Sequence, residues 1–172
     1  MICLKKAVFD DCVDFNRWEN DESVIDYLSI SKGRTKEESI REFLQREADP
    51  SIFDFTVYHE GKKIGRAYLS RYDKNARSID ITRIYIGEIG QRGKGLGRAL
   101  MEELLRFCFE ELKLNRVTLD YFDGNPAQEL YRSLGFVSEG VAREAGFKDG
   151  KFNNFNLMSL LHREWRERSK KA

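Results

Sequence analysis

Residues 84–100 read IYIGEIGQRGKGLGRAL and decide the fold, because a strand-like run enters a glycine-rich turn and then a helix. The helical pattern extends to about residue 114. Its apolar side chains recur at spacings of three and four residues, as expected for one buried face: Leu100, Leu104, Phe107, Cys108 and Leu112. A glycine turn before a helix presents backbone N–H groups at the positive end of the helix dipole. This segment therefore predicts a site for a phosphate or pyrophosphate group.

The spacing of the glycines excludes the two commonest phosphate-binding turns. A P-loop needs G-x-x-x-x-G-K-[ST], but Gly93-Lys94 is followed by another glycine, and Glu88 stands where the first glycine is needed. A dinucleotide-binding turn needs G-x-G-x-x-G, and neither possible starting glycine here has a third glycine at the last position. The pattern that remains is R-x-x-G-x-G at residues 92–97.

Strand and helix patterns alternate on either side of this turn. Before it we predict a strand, two helices and three further strands, at residues 2–8, 10–18, 35–47, 52–58, 62–71 and 78–86. After the long helix we predict a strand, a short helix that follows Asn125, and two strands, at residues 116–122, 136–141 and 152–161. The order β-α-α-β-β-β-α-β-α-β-β ends in a parallel β-α-β crossover and two more strands. It predicts a mixed α/β fold and not a doubly wound sheet. A break in the apolar alternation at Thr82 also indicates a β-bulge.

Length and composition fit one domain. The chain has 172 residues, 41% of them hydrophobic, and we assign residues 1–161 to the domain and 162–172 to a charged C-terminal tail. A net charge of +1 gives no case for nucleic-acid or membrane binding. Three scattered cysteines and two distant histidines predict neither a disulfide framework nor a metal site. With no apolar leader visible, we expect a cytoplasmic protein.

Two motifs together resemble the GCN5-related N-acetyltransferase (GNAT) family. The first is the R-x-x-G-x-G turn, and the second is N-P-A-x-x-L-Y-x-x-L-G-F at residues 125–136. Residues 84–88 and 135–143 look closest to the branch that holds ribosomal-protein N-terminal and spermidine N-acetyltransferases. The resemblance implies a central twisted mixed sheet of about seven strands flanked by about four helices. It also implies an enzyme that transfers an acetyl group from acetyl-CoA to an amine.

The resemblance assigns roles to several residues. It implies that the turn wraps the pyrophosphate of acetyl-CoA with the backbone of Arg92, Gly93, Lys94, Gly95, Leu96, Gly97 and Arg98. A backbone N–H in the preceding strand would polarise the acetyl carbonyl, and its candidates are Ile84, Tyr85 and Ile86. Asn125 would contact the pantetheine arm, although a helix-capping role explains it equally well. Tyr131 would meet the CoA sulfur and give it a proton.

The base that removes the amine proton is less well defined. Glu88 follows the cofactor strand and is the catalytic candidate. Glu19, Asp21 and Glu22 lie in or near the connection that borders the acceptor site in this family, and they are the substrate-binding candidates. For each of the four, a solvated surface is the favoured interpretation. Asn154 stands where many members of the branch carry aspartate, so the acceptor of those members does not transfer directly.

The expected function is direct acetyl transfer in a ternary complex to a primary amine. A polyamine, a protein N-terminal α-amine and a small amine all stay open as acceptors. The alternative is a non-catalytic acyl-CoA-binding or sensor module. We expect acetyl-CoA as the co-substrate, no metal, and no nucleic-acid or membrane partner. The β-rich C-terminal edge could pair with a second copy to form a homodimer.

Overall fold

The computed structural model describes residues 1–169, and its centre is a seven-stranded mixed sheet. The strands are β1 (Ile2–Lys6), β2 (Phe53–His59), β3 (Lys62–Asp73), β4 (Ser78–Ile86), β5 (Arg116–Phe122), β6 (Val137–Lys148) and β7 (Lys151–Leu161). They lie in the order β1-β2-β3-β4-β5-β7-β6. Only β4 and β5 pair in parallel. The predicted mixed sheet with one parallel crossover is therefore confirmed.

Within residues 1–169, six α-helices accompany the sheet, two more than the sequence predicted. They are α1 (Cys12–Glu19), α2 (Glu22–Ile25), α3 (Lys36–Glu47), α4 (Leu96–Arg106), α5 (Gln128–Ser133) and α6 (His162–Ser169). The additional pair is α2, which lies in the predicted helix–helix connection, and α6. Helix α4 continues as a π-helical segment, Phe107–Glu111. No helix in the part of the chain that the structure describes is long and apolar enough to cross a membrane.

The predicted charged tail is partly wrong. Its first eight residues form α6, and Trp165 packs against the main hydrophobic core beside Phe109, with the two ring centroids 5.3 Å apart. An indole that packs on the core supplies the apolar contact that holds this otherwise polar helix. Residues 170–172, the last part of that prediction, lie outside the described residues.

The strands β4 and β5 pair at one end only, and this creates the site. Their last paired residues are Ile81 and Leu119. Beyond that point β4 pairs with β3 alone, and Thr82 is the extra residue between the pairs that Ile81 and Arg83 make. The bulge predicted at Thr82 is thus confirmed. A bulge sharpens the local twist of a strand, so the two parallel strands diverge and leave a gap in the sheet.

Candidate active site

A cavity of about 430 Å³ opens where β4 and β5 diverge. Residues 81–86 of β4 and 119–122 of β5 line its sides, and Tyr131 of α5 lies at the same cavity. Five residues in or next to α2 also line it: Ser23, Val24, Tyr27, Leu28 and Ser29. One space therefore joins the bulged strand, the helix of the second motif and the region between α1 and α3.

The glycine turn before α4 has the backbone of an anion cradle. Gly93 and Gly95 have φ angles of +73° and +75°, the left-handed region that only glycine adopts without strain. A Cβ at either position would meet no atom within 4 Å, so the space above the turn is open. The first N–H groups of α4 have no acceptor inside the helix, and its N-cap residue, Gly95, has no side chain to cap them. These donors suit a phosphate oxygen.

Arg92 connects the turn to the cavity. Its Nε donates to the carbonyl of Ile86 at 2.9 Å, and Nη1 donates to Oγ of Ser23 at 2.6 Å. Its Nη2 is buried and has no acceptor among the residues that the structure describes. An unsatisfied buried donor is costly, and an anionic ligand would satisfy this one.

The other side chains of the turn divide between solvent and the protein. Lys94 is exposed. Leu96 packs against the main core, and a Cβ at Gly97 would lie 4.0 Å from Leu130 of α5. Arg98 donates to Ser133 of α5. The turn thus rests on the helix that carries Tyr131.

Tyr131 is buried, with 7% of its surface exposed, and it lines the cavity. Burial raises the pKa of its phenol to about 12, and the neighbouring Tyr121 and Asp120 add to that shift. The hydroxyl therefore keeps its proton at neutral pH and can donate it.

Asn125 also lines the cavity, and its Oδ1 accepts from the Ala127 N–H at 2.9 Å, which caps the turn that leads into α5.

Asp120 is a cavity residue that sequence reasoning missed. It lies on β5, lines the cavity and is partly desolvated by the neighbouring protein. This desolvation raises the pKa of its carboxyl group, and the negative charge of Asp80 raises it further. The signal in the sequence was a single carboxylate between the apolar Leu119 and Tyr121 of the crossover strand, five residues before Asn125.

Glu19 lies behind the cavity, and not at its surface. It is 1% exposed and accepts from Arg66 at 2.9 Å, Arg83 at 3.0 Å and the Tyr85 hydroxyl at 3.0 Å. Burial raises its pKa, but the charges of Arg83 and Arg66 outweigh burial, so the pKa lies below its ordinary value. The solvated-surface interpretation of Glu19 is wrong. Its carboxylate is bound by internal partners, and Glu19 does not line the cavity.

The other three acids also lie away from the cavity lining. Asp21 caps α2, accepting from the Ser23 N–H at 3.0 Å, and Glu22 is exposed. Glu88 accepts from the Trp18 Nε1 at 2.9 Å and from Arg17, which is the first cause of its lowered pKa. A carboxylate held ionised by an arginine is a weak base. None of these acids, all in the described chain, lines the cavity, so their geometry does not support the roles expected of them.

Asn154 joins the C-terminal hairpin to the turn after β5. Its Oδ1 accepts from the Glu144 N–H at 2.9 Å, and its Nδ2 donates to Asp123 at 3.0 Å. An aspartate at this position could not make the second bond and would face Asp123 with a like charge. The amide therefore has a structural use that explains its presence.

Comparison with known proteins agrees with this geometry. The sequence model of the Acetyltransferase (GNAT) family matches residues 13–136. The chain belongs to the GNAT family. It is 31% identical to the L-amino acid N-acetyltransferase AaaT of Escherichia coli (strain K12) over 125 residues, which cover 68% of this chain and 74% of that protein.

Spermidine acetyltransferases are also similar to this GNAT chain. The spermidine N(1)-acetyltransferase of Vibrio cholerae is 34% identical over 79 residues, which cover 45% of this chain and 46% of that protein. A crystal structure of the Vibrio cholerae spermidine N-acetyltransferase with CoA and spermine superposes with a TM-score of 0.87 at 24% identity, covering 96% of this chain and 98% of that one. At that identity the likeness is one of fold.

The chain is thus an acetyl-CoA-dependent N-acetyltransferase, and its residues fit the co-substrate. The open glycine turn and the unsatisfied Nη2 of Arg92 suit the pyrophosphate. The gap between β4 and β5 suits an extended arm that leads toward Tyr131. Acetyl-CoA supplies an acetyl thioester there.

Proposed function

We propose that this enzyme transfers the acetyl group directly to a primary amine that binds beside Asp120, in a ternary complex. The observation that carries the proposal is a single cavity lined by Arg92, Tyr131 and Asp120. A phosphate-binding donor, a proton donor and a proton acceptor then share one space. No separate acyl-enzyme step is needed, because the buried Cys108 faces the core and burial raises the pKa of its thiol to about 12.

Asp120 acts as the proton acceptor. A primary amine with a pKa near 10.4 is almost fully protonated at neutral pH, and offering its free base costs about 4 kcal/mol. A carboxylate first pairs with the ammonium group and then holds the proton that the nitrogen loses. The raised pKa of Asp120 makes it a stronger base than an ordinary aspartate.

Tyr131 and the bulged strand act on the other side of the reaction. As the N–C bond forms and the C–S bond breaks, Tyr131 gives its proton to the departing sulfur. Arg92 binds the Ile86 carbonyl, so this edge of β4 faces the cavity, and the two-residue repeat brings the N–H groups of Ile84 and Ile86 to the same edge. We infer that one of them donates to the acetyl oxygen.

The charges of the cavity favour a small amine or an N-terminal α-amine over a polyamine. Among the described residues that line it, Asp120 is the only carboxylate, and Arg83 and Arg92 are cations. A polyamine carries several positive charges and needs several carboxylates to meet them. The three expected substrate-binding acids do not line the cavity: Glu19 and Asp21 accept internal hydrogen bonds, and Glu22 is exposed.

The test compares the two candidate bases. CoA thiol release is followed with free amino acids, short peptides, an aminoglycoside and spermidine, using wild type, Asp120→Asn and the matched control Glu88→Gln. We expect Asp120→Asn to lower kcat at least about 100-fold and to remove the acidic limb of the pH–rate profile. In wild type that limb should lie above the ordinary aspartate pKa, because the shift of Asp120 is upward. Loss of the limb in Glu88→Gln, with Asp120→Asn unaffected, would refute the assignment.

The same assay distinguishes an acetyltransferase from a non-catalytic binding module. Thiol release with any amine class excludes a purely non-catalytic role. If acetyl-CoA raises the melting temperature while every amine is silent, the proposed transfer to these amine classes fails.

We also propose that the C-terminal hairpin pairs with a second copy of the chain. Strand β6 is a sheet edge, and the hairpin exposes the apolar side chains Val137, Val141, Phe147, Phe152 and Leu157. Sedimentation equilibrium of wild type and Val141→Lys tests this. A wild-type monomer at tens of micromolar would contradict it.

A cytoplasmic location is our remaining proposal. It is supported by three free cysteines, of which Cys12 and Cys108 are buried. Free thiols are typical of a reducing compartment. Fractionation of cells that express the tagged chain would test it, and recovery outside the cytoplasm would contradict it.

A further inference from the structure

The wall of the cavity opposite β5 has little secondary structure of its own. Residues 23–29 contain most of the four-residue helix α2 and the turns after it, and no regular element follows until α3 begins at Lys36. Its own hydrogen bonds are local, such as Tyr27 N–H to Val24 and Leu28 N–H to Ile25. A segment of this kind keeps its shape only if the surrounding structure holds it.

Two polar contacts hold this segment at its ends. At the cofactor end, Arg92 donates to Ser23. At the other end, the Nζ of Lys148 donates to the carbonyl oxygens of Ile25 and of Leu28, the latter at 2.8 Å. Lys148 is the last residue of β6, more than 100 positions away in the chain, and it is 8% exposed. Burial lowers the pKa of its ammonium group, a cost that the two carbonyl bonds offset.

The same segment faces the space where the amine would bind. Tyr27, Leu28 and Ser29 line the cavity together with Asp120. Ile25 is completely buried and packs with Val24 and Leu28, and Tyr85 packs against this cluster. A displacement of the Leu28 carbonyl would therefore move cavity side chains, while the glycine turn packs on α5 and reaches this segment through Arg92, which donates to Ser23 at the opposite end from Leu28.

We propose that Lys148 is a positioning residue for the acceptor amine, a role that rests on the acetyl transfer proposed above. Its ammonium group clamps the tip of the β6–β7 hairpin onto the carbonyls of Ile25 and Leu28 and so holds the acceptor side of the cavity in shape. The chemistry itself stays with Asp120 and Tyr131.

The experiment uses Lys148→Met, which keeps the apolar stem and removes the donor, and Lys151→Met as the matched control. Lys151 pairs with Lys148 across the hairpin but is exposed. We expect Lys148→Met to raise the acceptor KM about tenfold, with kcat and the acetyl-CoA Kd changed less than about twofold. Lys148→Arg should restore much of the loss, and Lys151→Met should behave as wild type. Equal losses in KM, kcat and acetyl-CoA binding would indicate a purely structural role and overturn the proposal.

A second readout does not depend on activity. Hydrogen exchange at the Tyr27 and Leu28 amides should become at least about tenfold faster in Lys148→Met, while α4 stays protected. Unchanged exchange would overturn the clamp. A wild type that acetylates no amine would instead refute the proposed function and leave the exchange result to decide the clamp. If Lys148→Met does not fold, Lys148→Gln replaces it under the same criteria.

Discussion

The two sides of the cavity are built in different ways. The cofactor wall, defined as Arg92, Asn125 and Tyr131 with the adjoining glycine turn 93–98, is built from one turn that follows β4 and one helix that follows β5. The acceptor wall, defined as residues 23–29 with Arg83 and Tyr85, is held by groups from distant parts of the chain. Glu19 binds Arg83 and Tyr85 from α1, and Lys148 reaches residues 25 and 28 from β6.

The two walls therefore bind their ligands in different ways. The cofactor wall uses main-chain N–H groups, and the acceptor wall uses side chains that folding brings together. The cofactor wall offers N–H groups whose direction depends on local φ angles, so a short motif is enough to encode it. The acceptor wall depends on buried charges that must meet after the sheet has formed. Variants in the two walls should therefore fail in different ways.

The largest effect is expected in the acceptor wall from Glu19→Gln. Removing this charge takes a partner from Arg66 and Arg83, although Asp54 and Glu42 still contact them, so we expect a loss of about 3 kcal/mol in the free energy of unfolding. Because the folded-state pKa of Glu19 is lowered, the wild-type advantage is present above the pKa of an unfolded glutamate and disappears as the pH falls through the folded-state value. Urea unfolding at several pH values measures both the loss in the free energy of unfolding and its dependence on pH.

The control for that prediction is Glu22→Gln, a change of an exposed acid in the same part of the chain. It should leave the unfolding midpoint unchanged. Similar losses in the free energy of unfolding for Glu19→Gln and Glu22→Gln would mean that the buried ion network does not stabilise the acceptor wall.

In the cofactor wall, Tyr131→Phe should lower the rate of acetyl transfer without weakening acetyl-CoA binding. We expect kcat to fall at least about 100-fold, because the sulfur then leaves without a proton donor, while the Kd of acetyl-CoA changes little. Tyr72→Phe, which removes a hydroxyl at a ring cluster outside the cavity, serves as the control. Stopped-flow kinetics and calorimetry give the two quantities, and an unaltered kcat would remove Tyr131 from the mechanism.

The smallest effect is expected at the glycine turn of the cofactor wall. Gly95→Ala forces a side chain into a left-handed conformation that costs about 1–2 kcal/mol, so we expect acetyl-CoA binding to weaken about tenfold. Gly90→Ala is the matched control, since Gly90 lies in the same turn without a positive φ and with open space around it. Equal affinity in the two variants would contradict the cradle.

Much of the fold followed from local patterns. The parallel crossover, the bulge at Thr82 and the helix at residues 35–47 were predicted and are present, because each depends on residues close together in the chain. Helices α2 and α6 were missed for a common reason. Both are short or strongly polar, and their stability comes from tertiary contacts: Val24 and Ile25 are buried in a small apolar cluster, and Trp165 packs on the main core.

The candidate site likewise contains some residues that local patterns identify and others that only the tertiary structure reveals. Arg92 and the glycines could be identified from their spacing, and Tyr131 from its motif. Asp120 was passed over because one acid in a strand looks like a solvated residue until the divergence of β4 and β5 turns it toward a cavity. Glu19 was misjudged for the opposite reason, because its arginine partners come from β3 and β4.

The sequence by itself determined the order of the seven strands and of four helices, the glycine turn and the family, since all of these depend on residue type at fixed spacing. Only the tertiary structure decided which carboxylates face the cavity and which are bound by internal partners. A carboxylate next to a guanidinium group and one in an open cavity are the same residue in the chain, and their pKa values separate only when burial and neighbouring charges are set by packing.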